Sequence, residues 1–109
     1  MDMSVSILRY TEACKLKYPE LASRADRAAA IVRRGGYVRV TEATWLIPSS
    51  TGTIGYVVGA NCTCPDYTGI HPQTGEVAKH KDRAPRGWCK HRLAMLMIVK
   101  LITDAECEA

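Results

Sequence analysis

The sequence lacks any long run of apolar residues. Its longest run, from Leu93 to Val99, has seven residues and ends at Lys100, whereas a helix that crosses a bilayer needs about 20. The first residues also lack the basic region and apolar run of a secretory signal peptide. We therefore expect a cytoplasmic protein that does not enter a membrane.

The sequence also lacks a strong excess of charge of either sign. Lys and Arg number 15 against 11 Asp and Glu, which gives a formal net charge of +4. This mildly basic balance permits nucleic-acid binding without requiring it. No stretch resembles a helix that reads bases in a DNA groove, so sequence-specific recognition is not expected. No pair of candidate acid and base groups is apparent either, and we expect no enzymatic activity and no small-molecule substrate.

What the chain does contain is cysteine, at positions 14, 62, 64, 89 and 107. An odd number of cysteines without a signal peptide indicates a reducing compartment and metal ligation rather than disulfides. The 109 residues form one domain. A domain of this length buries only about 60 to 70% of its unfolded surface, so a bound metal would supplement its core.

Two close pairs of metal-ligand residues organise the chain. Cys62 and Cys64 form a C-x-C pair, and Cys89 and His91 form a C-x-H pair after a gap of 24 residues. Three thiols and one imidazole make a complete tetrahedral Cys₃His set, which leaves no position for water. The pattern therefore predicts one structural zinc ion rather than a catalytic one.

The short spacing within each pair restricts the backbone around it. Residues i and i+2 of an extended segment point to the same side, so Cys62 and Cys64 can converge at the end of a strand that Pro65 stops. On a helix, residues i and i+2 diverge by about 200°. Cys89 must then precede a helix as its cap, with His91 in the first turn, where the helix N-terminus favours a thiolate.

Other assignments of these residues stay open. The cysteines could be ordinary small core residues, and His71 or His80 could replace His91 as a ligand. Cys14 is expected to pack in the core, and Cys107, near the end of the chain, to be a free thiol.

The two motifs resemble the SWIM zinc finger, whose pattern is C-x-C-x(n)-C-x-H. The matching residues are Cys62-Thr63-Cys64-Pro65-Asp66-Tyr67 and Cys89-Lys90-His91-Arg92-Leu93-Ala94. The segments Trp45-Leu46-Ile47-Pro48-Ser49-Ser50 and Tyr56-Val57-Val58 look like the strands of its hairpin. The resemblance covers residues 43 to 105 and implies a zinc module of two strands and one helix that binds DNA or proteins. The gap between the ligand pairs is at the long end for the family, and we do not expect the enzymatic roles of larger family members, which depend on a companion catalytic domain.

Two helices are predicted before the module. Residues 4–18 place Ile7, Tyr10, Cys14 and Tyr18 at helical spacing. A second helix begins at Pro19 and ends at Gly35-Gly36. It has one face of small apolar residues, and its arginines at 24, 27, 33 and 34 lie on the rest. These arginines either form a solvated face that complements the helix dipole or contribute to a phosphate-contacting surface.

A β-hairpin is predicted next. Residues 37–47 read as one strand in which the alternation slips near Ala43, which indicates a bulge or break. Residues 48–53 form a turn and 54–60 the return strand. Trp45 and Tyr56 are expected in the core rather than as platforms for stacked bases.

Residues 65 to 88 form a long loop that ends in the densest basic run of the chain. Such long loops are often functional. The run comprises Lys79, Lys81, Arg83, Arg86, Lys90 and Arg92. It is either a solvated loop or an arm that contacts phosphates beside a helix N-terminus.

The last helix, from Lys90 to about Cys107, has apolar residues on more than one stripe. Either it is central in the fold, or an exposed part of it, for which Met97 is a candidate, meets a partner. The acidic residues at its end are expected to be solvated.

These features together predict an α+β fold with two N-terminal helices, a β-hairpin, a zinc knuckle and a C-terminal helix. Residues 1–36 would be the N-terminal helical segment and 37–109 the SWIM-type module, within one compact domain. The expected function is non-sequence-specific nucleic-acid binding, most simply of DNA, through the basic run. The alternative is a protein-interaction adaptor that uses the zinc module and its apolar C-terminal helix.

Overall fold

A computed structural model describes residues 3–49, 55–64 and 88–108, with the side chains of the last helix described as far as Thr103. These residues form helix α1 (Met3–Lys17), a 3₁₀ turn (Pro19–Leu21), helix α2 (Ala22–Arg34), strands β1 (Val38–Arg39), β2 (Trp45–Pro48) and β3 (Gly55–Val58), and helix α3 (Lys90–Glu108). The predicted α+β class and the order of helices, hairpin, cysteine cluster and C-terminal helix are confirmed. The division at residue 36 stays a prediction.

The two N-terminal helices lie close to their predicted bounds. Ile7 of α1 is buried, and Cys14 packs against the core at intermediate exposure. Pro19 begins a 3₁₀ turn rather than the α-helix itself. Helix α2 ends at Arg34 and is capped by Gly35, whose N–H donates to the Ile31 carbonyl at 3.2 Å and whose φ of 78° favours glycine.

The prediction of a single strand over residues 37–47 is wrong. It is two strands, β1 and β2, joined by a turn in which the Thr44 carbonyl accepts the N–H groups of Val40 and Thr41. The slip in alternation near Ala43 therefore marks a reversal of the chain. Strand β2 lies in the centre of an antiparallel sheet of order β1-β2-β3, with Trp45 opposite Val58 and Ile47 opposite Tyr56.

Gly59, directly after β3, allows the backbone to approach the β1–β2 turn. A Cβ atom there would lie 2.8 Å from the Ala43 carbonyl oxygen and 3.1 Å from Thr44 Cγ2. We expect Gly59→Ala to lower the free energy of unfolding by about 1–3 kcal/mol, because backbone must move to admit the methyl group. Urea unfolding measures this loss.

Gly55→Ala is the matched control for that substitution. Its Cβ would lie 3.1 and 3.3 Å from Cδ1 and Cγ of Leu46, an exposed side chain that can move aside, and at an ordinary contact distance of 3.7 Å from the Ile47 carbonyl oxygen. A loss in Gly55→Ala as large as that in Gly59→Ala would show that the close approach at Gly59 is not the cause.

The core lies where α2 and α3 pack together and against the inner face of the sheet. Helix α2 contributes small residues such as Ala28 and Ala29, which allow the close approach of α3. Trp45 is buried and Tyr56 packs against the same core at intermediate exposure, as predicted. No helix among the described residues is long and apolar enough to cross a membrane.

Helix α3 is buried along one side only. Leu93, Ala94 and Ile98 are in the core, while Leu96, Val99 and Ile102 are about two-fifths exposed: 39%, 42% and 39%. The prediction that Met97 is an exposed contact residue is wrong. Met97 is 4% exposed and belongs to the core cluster.

Candidate metal centre

The four predicted ligands lie together because the end of β3 and the start of α3 are neighbours. Cys62 follows β3 and pairs with Val58 through an isolated bridge, so that Cys62 and Cys64 curl at the strand exit. Cys89 immediately precedes α3, and its carbonyl accepts the N–H of Leu93 at 3.1 Å, the first hydrogen bond of the helix. His91 is the second residue of α3. This is the arrangement that the two spacings predicted.

The ligand atoms of these residues form one tight cluster. The three Sγ atoms and the ligand nitrogen of His91 lie within 4.8 Å of one another. Ligands about 2.3 Å from a tetrahedral zinc ion lie roughly 3.8 Å apart, so small adjustments bring all four to one ion. The side chains are at most 2% exposed, and the cluster is positioned to hold one metal ion.

The surroundings of the His91 imidazole are a separate observation that supports a metal-ligand role for this residue. Both ring nitrogens are buried, and neither has a hydrogen-bond partner among the described residues. A buried polar group left in this way costs about 1–3 kcal/mol. A metal ion bonded to one nitrogen removes part of that cost, so the residues present fit a bound ion.

The ring of Tyr56 covers one side of His91. The two ring centroids are 4.6 Å apart, and the planes are inclined at 55°. Burial raises the pKa of the Tyr56 hydroxyl, and the negative charges available at Cys64 and Cys62 raise it further. Tyr56 therefore stays neutral and excludes water from the imidazole.

The three thiols do not ionise independently. Hydrogen bonds from Cys62 and Cys64 lower the pKa of the Cys89 thiol, and the backbone N–H of Arg92 also favours its thiolate. Hydrogen bonds with Cys64 and Cys89, together with burial, raise the pKa of the Cys62 thiol. The cluster thus favours a thiolate at Cys89 and a neutral thiol at Cys62, whereas three adjacent thiolates need a cation among them. The N–H of Arg92 acts on Cys89 as helix N-terminal groups act on a capping side chain.

Trp88 and Arg92 form a contact beside the cluster that the sequence reasoning missed. The guanidinium of Arg92 lies 4.4 Å from the centre of the Trp88 ring, a cation–π geometry. Trp88 and Arg92 are four residues apart in the sequence, on either side of Cys89. This spacing was the signal from which their contact could have been predicted. The contact orients Arg92 along the start of α3.

The predicted nucleic-acid-binding residues are only partly described. Lys79, Lys81, Arg83 and Arg86 lie outside the described residues, as do His71 and His80. Lys90 and Arg92 are half-buried at the start of α3, so their side chains are less free than those of an exposed arm. Phosphate contact by all six residues stays a prediction.

Cys14 is not part of the cluster. It lies on α1 at intermediate exposure, and burial, with the nearby charge of Glu20, raises the pKa of its thiol. This agrees with the expectation that Cys14 packs against the core, where a neutral thiol behaves as a small apolar side chain. The side chain of Cys107 lies outside the described residues.

No protein-family model, curated protein or solved structure that was compared with this chain matches it. The resemblance to the SWIM zinc finger therefore depends on the quoted motifs and on the clustering of the four side chains.

Proposed function

We propose that the chain is a SWIM-type module in which Cys62, Cys64, Cys89 and His91 hold one structural zinc ion. The observation that carries this proposal is the buried His91 ring, whose nitrogens have no hydrogen-bond partner among the described residues and which lies against three thiols. Three sulfur ligands favour a soft or borderline metal such as zinc. Four protein ligands leave no open position for substrate, so the ion stabilises the fold and does not catalyse a reaction.

The zinc ion would join the exit of β3 to the start of α3. Cys62 and Cys64 belong to the sheet side, and Cys89 and His91 to the helix side. The ion would also hold Cys64 and Cys89 together, and these ligands bound the segment 65–88. Most of the basic run is in that segment, so the metal would keep its ends at one point and beside a helix N-terminus.

On this basis the module binds nucleic acid, most simply DNA, without sequence specificity. Six Lys or Arg residues occur between positions 79 and 92, with one Asp. Long basic side chains near a helix N-terminus suit phosphate oxygens. Phosphates carry no base information, so this binding discriminates little between sequences. We propose that it operates in the cytoplasm, where the thiols stay reduced.

A second candidate function is that of a protein-interaction adaptor, favoured by an apolar groove between α1 and α3. The groove has a volume of about 360 Å³, and Tyr10, Leu93 and Leu96 are among its lining residues. Val99 and Ile102 add exposed apolar surface on α3. Exposed apolar surface of this kind marks interaction sites when it is contiguous.

A salt-dependent titration separates the two functions. We expect labelled duplex DNA to bind with a log–log slope in salt of about −0.9 per phosphate neutralised. Changing Lys81, Arg83 and Arg86 together to Gln should weaken binding and flatten the slope by up to about 2.7, because three contacts are lost. Fluorescence anisotropy at several salt concentrations measures both quantities, with single-stranded DNA and RNA as parallel probes.

The control is the variant Arg83→Lys with Arg86→Lys, which keeps every charge and should keep the slope. Zinc content and thermal stability should remain near those of the parent in both variants, since none of the changed residues belongs to the metal-ligand cluster. If the triple variant binds as tightly as the parent, the basic run does not contact nucleic acid. The adaptor function is then the better proposal.

A further inference from the structure

The charged side of α2 faces solvent. The helix buries Ala25, Ala28, Ala29, Ile31 and Val32 against the rest of the fold. Its exposed residues are Ser23, Asp26, Arg27, Ala30, Arg33 and Arg34. With Arg24, the helix carries four arginines and one aspartate in thirteen residues, so its solvent-facing side is strongly positive.

Asp26, the one acidic residue of α2, forms an ion pair with Lys15 of α1. Lys15 of α1 donates from Nζ to both carboxylate oxygens of Asp26, at 3.1 and 3.3 Å, and lies 3.6 Å from Glu12. An exposed pair of this kind contributes little stability, but it directs the Asp26 carboxylate towards α1. Within the described part of the chain, no carboxylate pairs with Arg27 or Arg33.

The helix dipole does not explain all of this charge. Arg33 and Arg34 are in the last turn, where basic side chains complement the partial negative charge of the helix C-terminus. That effect falls off within one turn, and Arg27 is the sixth residue of the thirteen. The helix dipole therefore does not account for Arg27, whose exposed guanidinium is available to a ligand in solvent.

The spacing of these arginines suits a nucleic-acid backbone. From Arg27 to Arg34 the helix rises about 10 Å, and one strand of a duplex has about three phosphates in that length. Ala30 lies between them and is small, so the arginine side chains extend furthest from the helix. An Arg guanidinium can donate two parallel hydrogen bonds to one phosphate.

We propose that the exposed side of α2, through Arg27, Arg33 and Arg34, is a second phosphate-contacting surface for duplex nucleic acid. It uses residues other than those of the basic run at 79–92. The inference rests on the proposed nucleic-acid function and enlarges its footprint. Contacts to phosphates from both surfaces add to affinity and salt dependence, and add no sequence preference.

The test uses a mixed-sequence DNA duplex and the variant Arg27→Gln with Arg33→Gln. Glutamine has a helix propensity close to that of arginine, so α2 should remain folded. Loss of two contacts should flatten the log–log salt slope by about 1.8 and weaken binding at low salt. The conservative variant Arg27→Lys with Arg33→Lys should keep the parent's slope.

A second control removes the same amount of charge elsewhere. Lys17→Gln with Lys100→Gln changes two exposed lysines that line the groove between α1 and α3, and the slope should change little. Equal flattening in this control would show a general effect of net charge and overturn the inference. An unchanged slope in the Arg27 and Arg33 variant, with a parent that binds, would overturn it while the proposed function stands. A parent that binds no duplex would refute the proposed function, and this inference with it.

Discussion

Replacing any one of the four clustered ligands should remove the bound metal and unfold the protein. We expect this of Cys62→Ser, Cys64→Ser, Cys89→Ser and His91→Ala. Structural zinc contributes roughly 10–16 kcal/mol of apparent folding free energy in zinc-finger peptides, whereas whole domains are stable by about 5–15 kcal/mol. The cluster contains four fully buried residues of a small core, so the fold would lose both the metal and the packing around it.

The measurements are zinc content by mass spectrometry and thermal unfolding with and without a chelator. The parent should hold one zinc ion per chain and unfold when the chelator removes it. Cys14→Ser should keep its zinc, because Cys14 lies outside the cluster. His91→Cys is a sharper control, since it creates a Cys₄ set of the kind that also binds structural zinc. Stoichiometric zinc retained in Cys64→Ser or His91→Ala would refute this ligand set.

The clustering of the four candidate ligands could be predicted from the sequence because its determinants are local. The C-x-C spacing requires an extended exit from a strand, and the C-x-H spacing requires a cysteine just before a helix. Both conditions are met, and the Leu93 N–H to Cys89 carbonyl bond fixes the start of α3. Tyr56 over His91 could not be predicted in this way, because the contact depends on how β3 and α3 approach each other.

The turn between β1 and β2 escaped prediction because its sequence, Val40 to Thr44, contains no Gly, Pro, Asn or Asp. Side-chain and backbone hydrogen bonds form it instead. The guanidinium of Arg39 donates to the carbonyls of Thr41 and Glu42 at 3.2 and 3.0 Å. Thr41 Oγ1 also accepts the N–H of Ala43 at 3.2 Å, and threonine is a weaker turn signal than Gly, Pro, Asn or Asp.

Which apolar residues of α3 are buried could not be predicted from the sequence either. Helical spacing shows which residues share a face, but the apolar residues of α3 extend around more than one face. Which of them are covered depends on the positions of α1, α2 and the sheet. Met97 is covered and Val99 is not.

Met97→Glu should therefore destabilise the protein severely, although the sequence pattern alone made Met97 a candidate contact residue. The side chain is 4% exposed within the core cluster. The substitution removes apolar packing, for which core truncations cost about 2–5 kcal/mol, and it places a carboxyl group where water cannot solvate it. We expect a loss of about 3–5 kcal/mol or complete unfolding, measured by urea titration of the zinc-loaded protein.

Two comparisons separate core from interface on this helix. Met97→Leu conserves volume and should cost less than about 1.5 kcal/mol, which shows that the charge and not the change of side chain is responsible. Val99→Glu and Ile102→Glu alter exposed positions and should leave the protein folded, within about 0.5 kcal/mol of the parent. Sedimentation of these folded variants then tests the adaptor function, because a self-association that uses the exposed side of α3 should be lost in them. A folded Met97→Glu protein with altered association would instead place Met97 at an interface and contradict its position in the core.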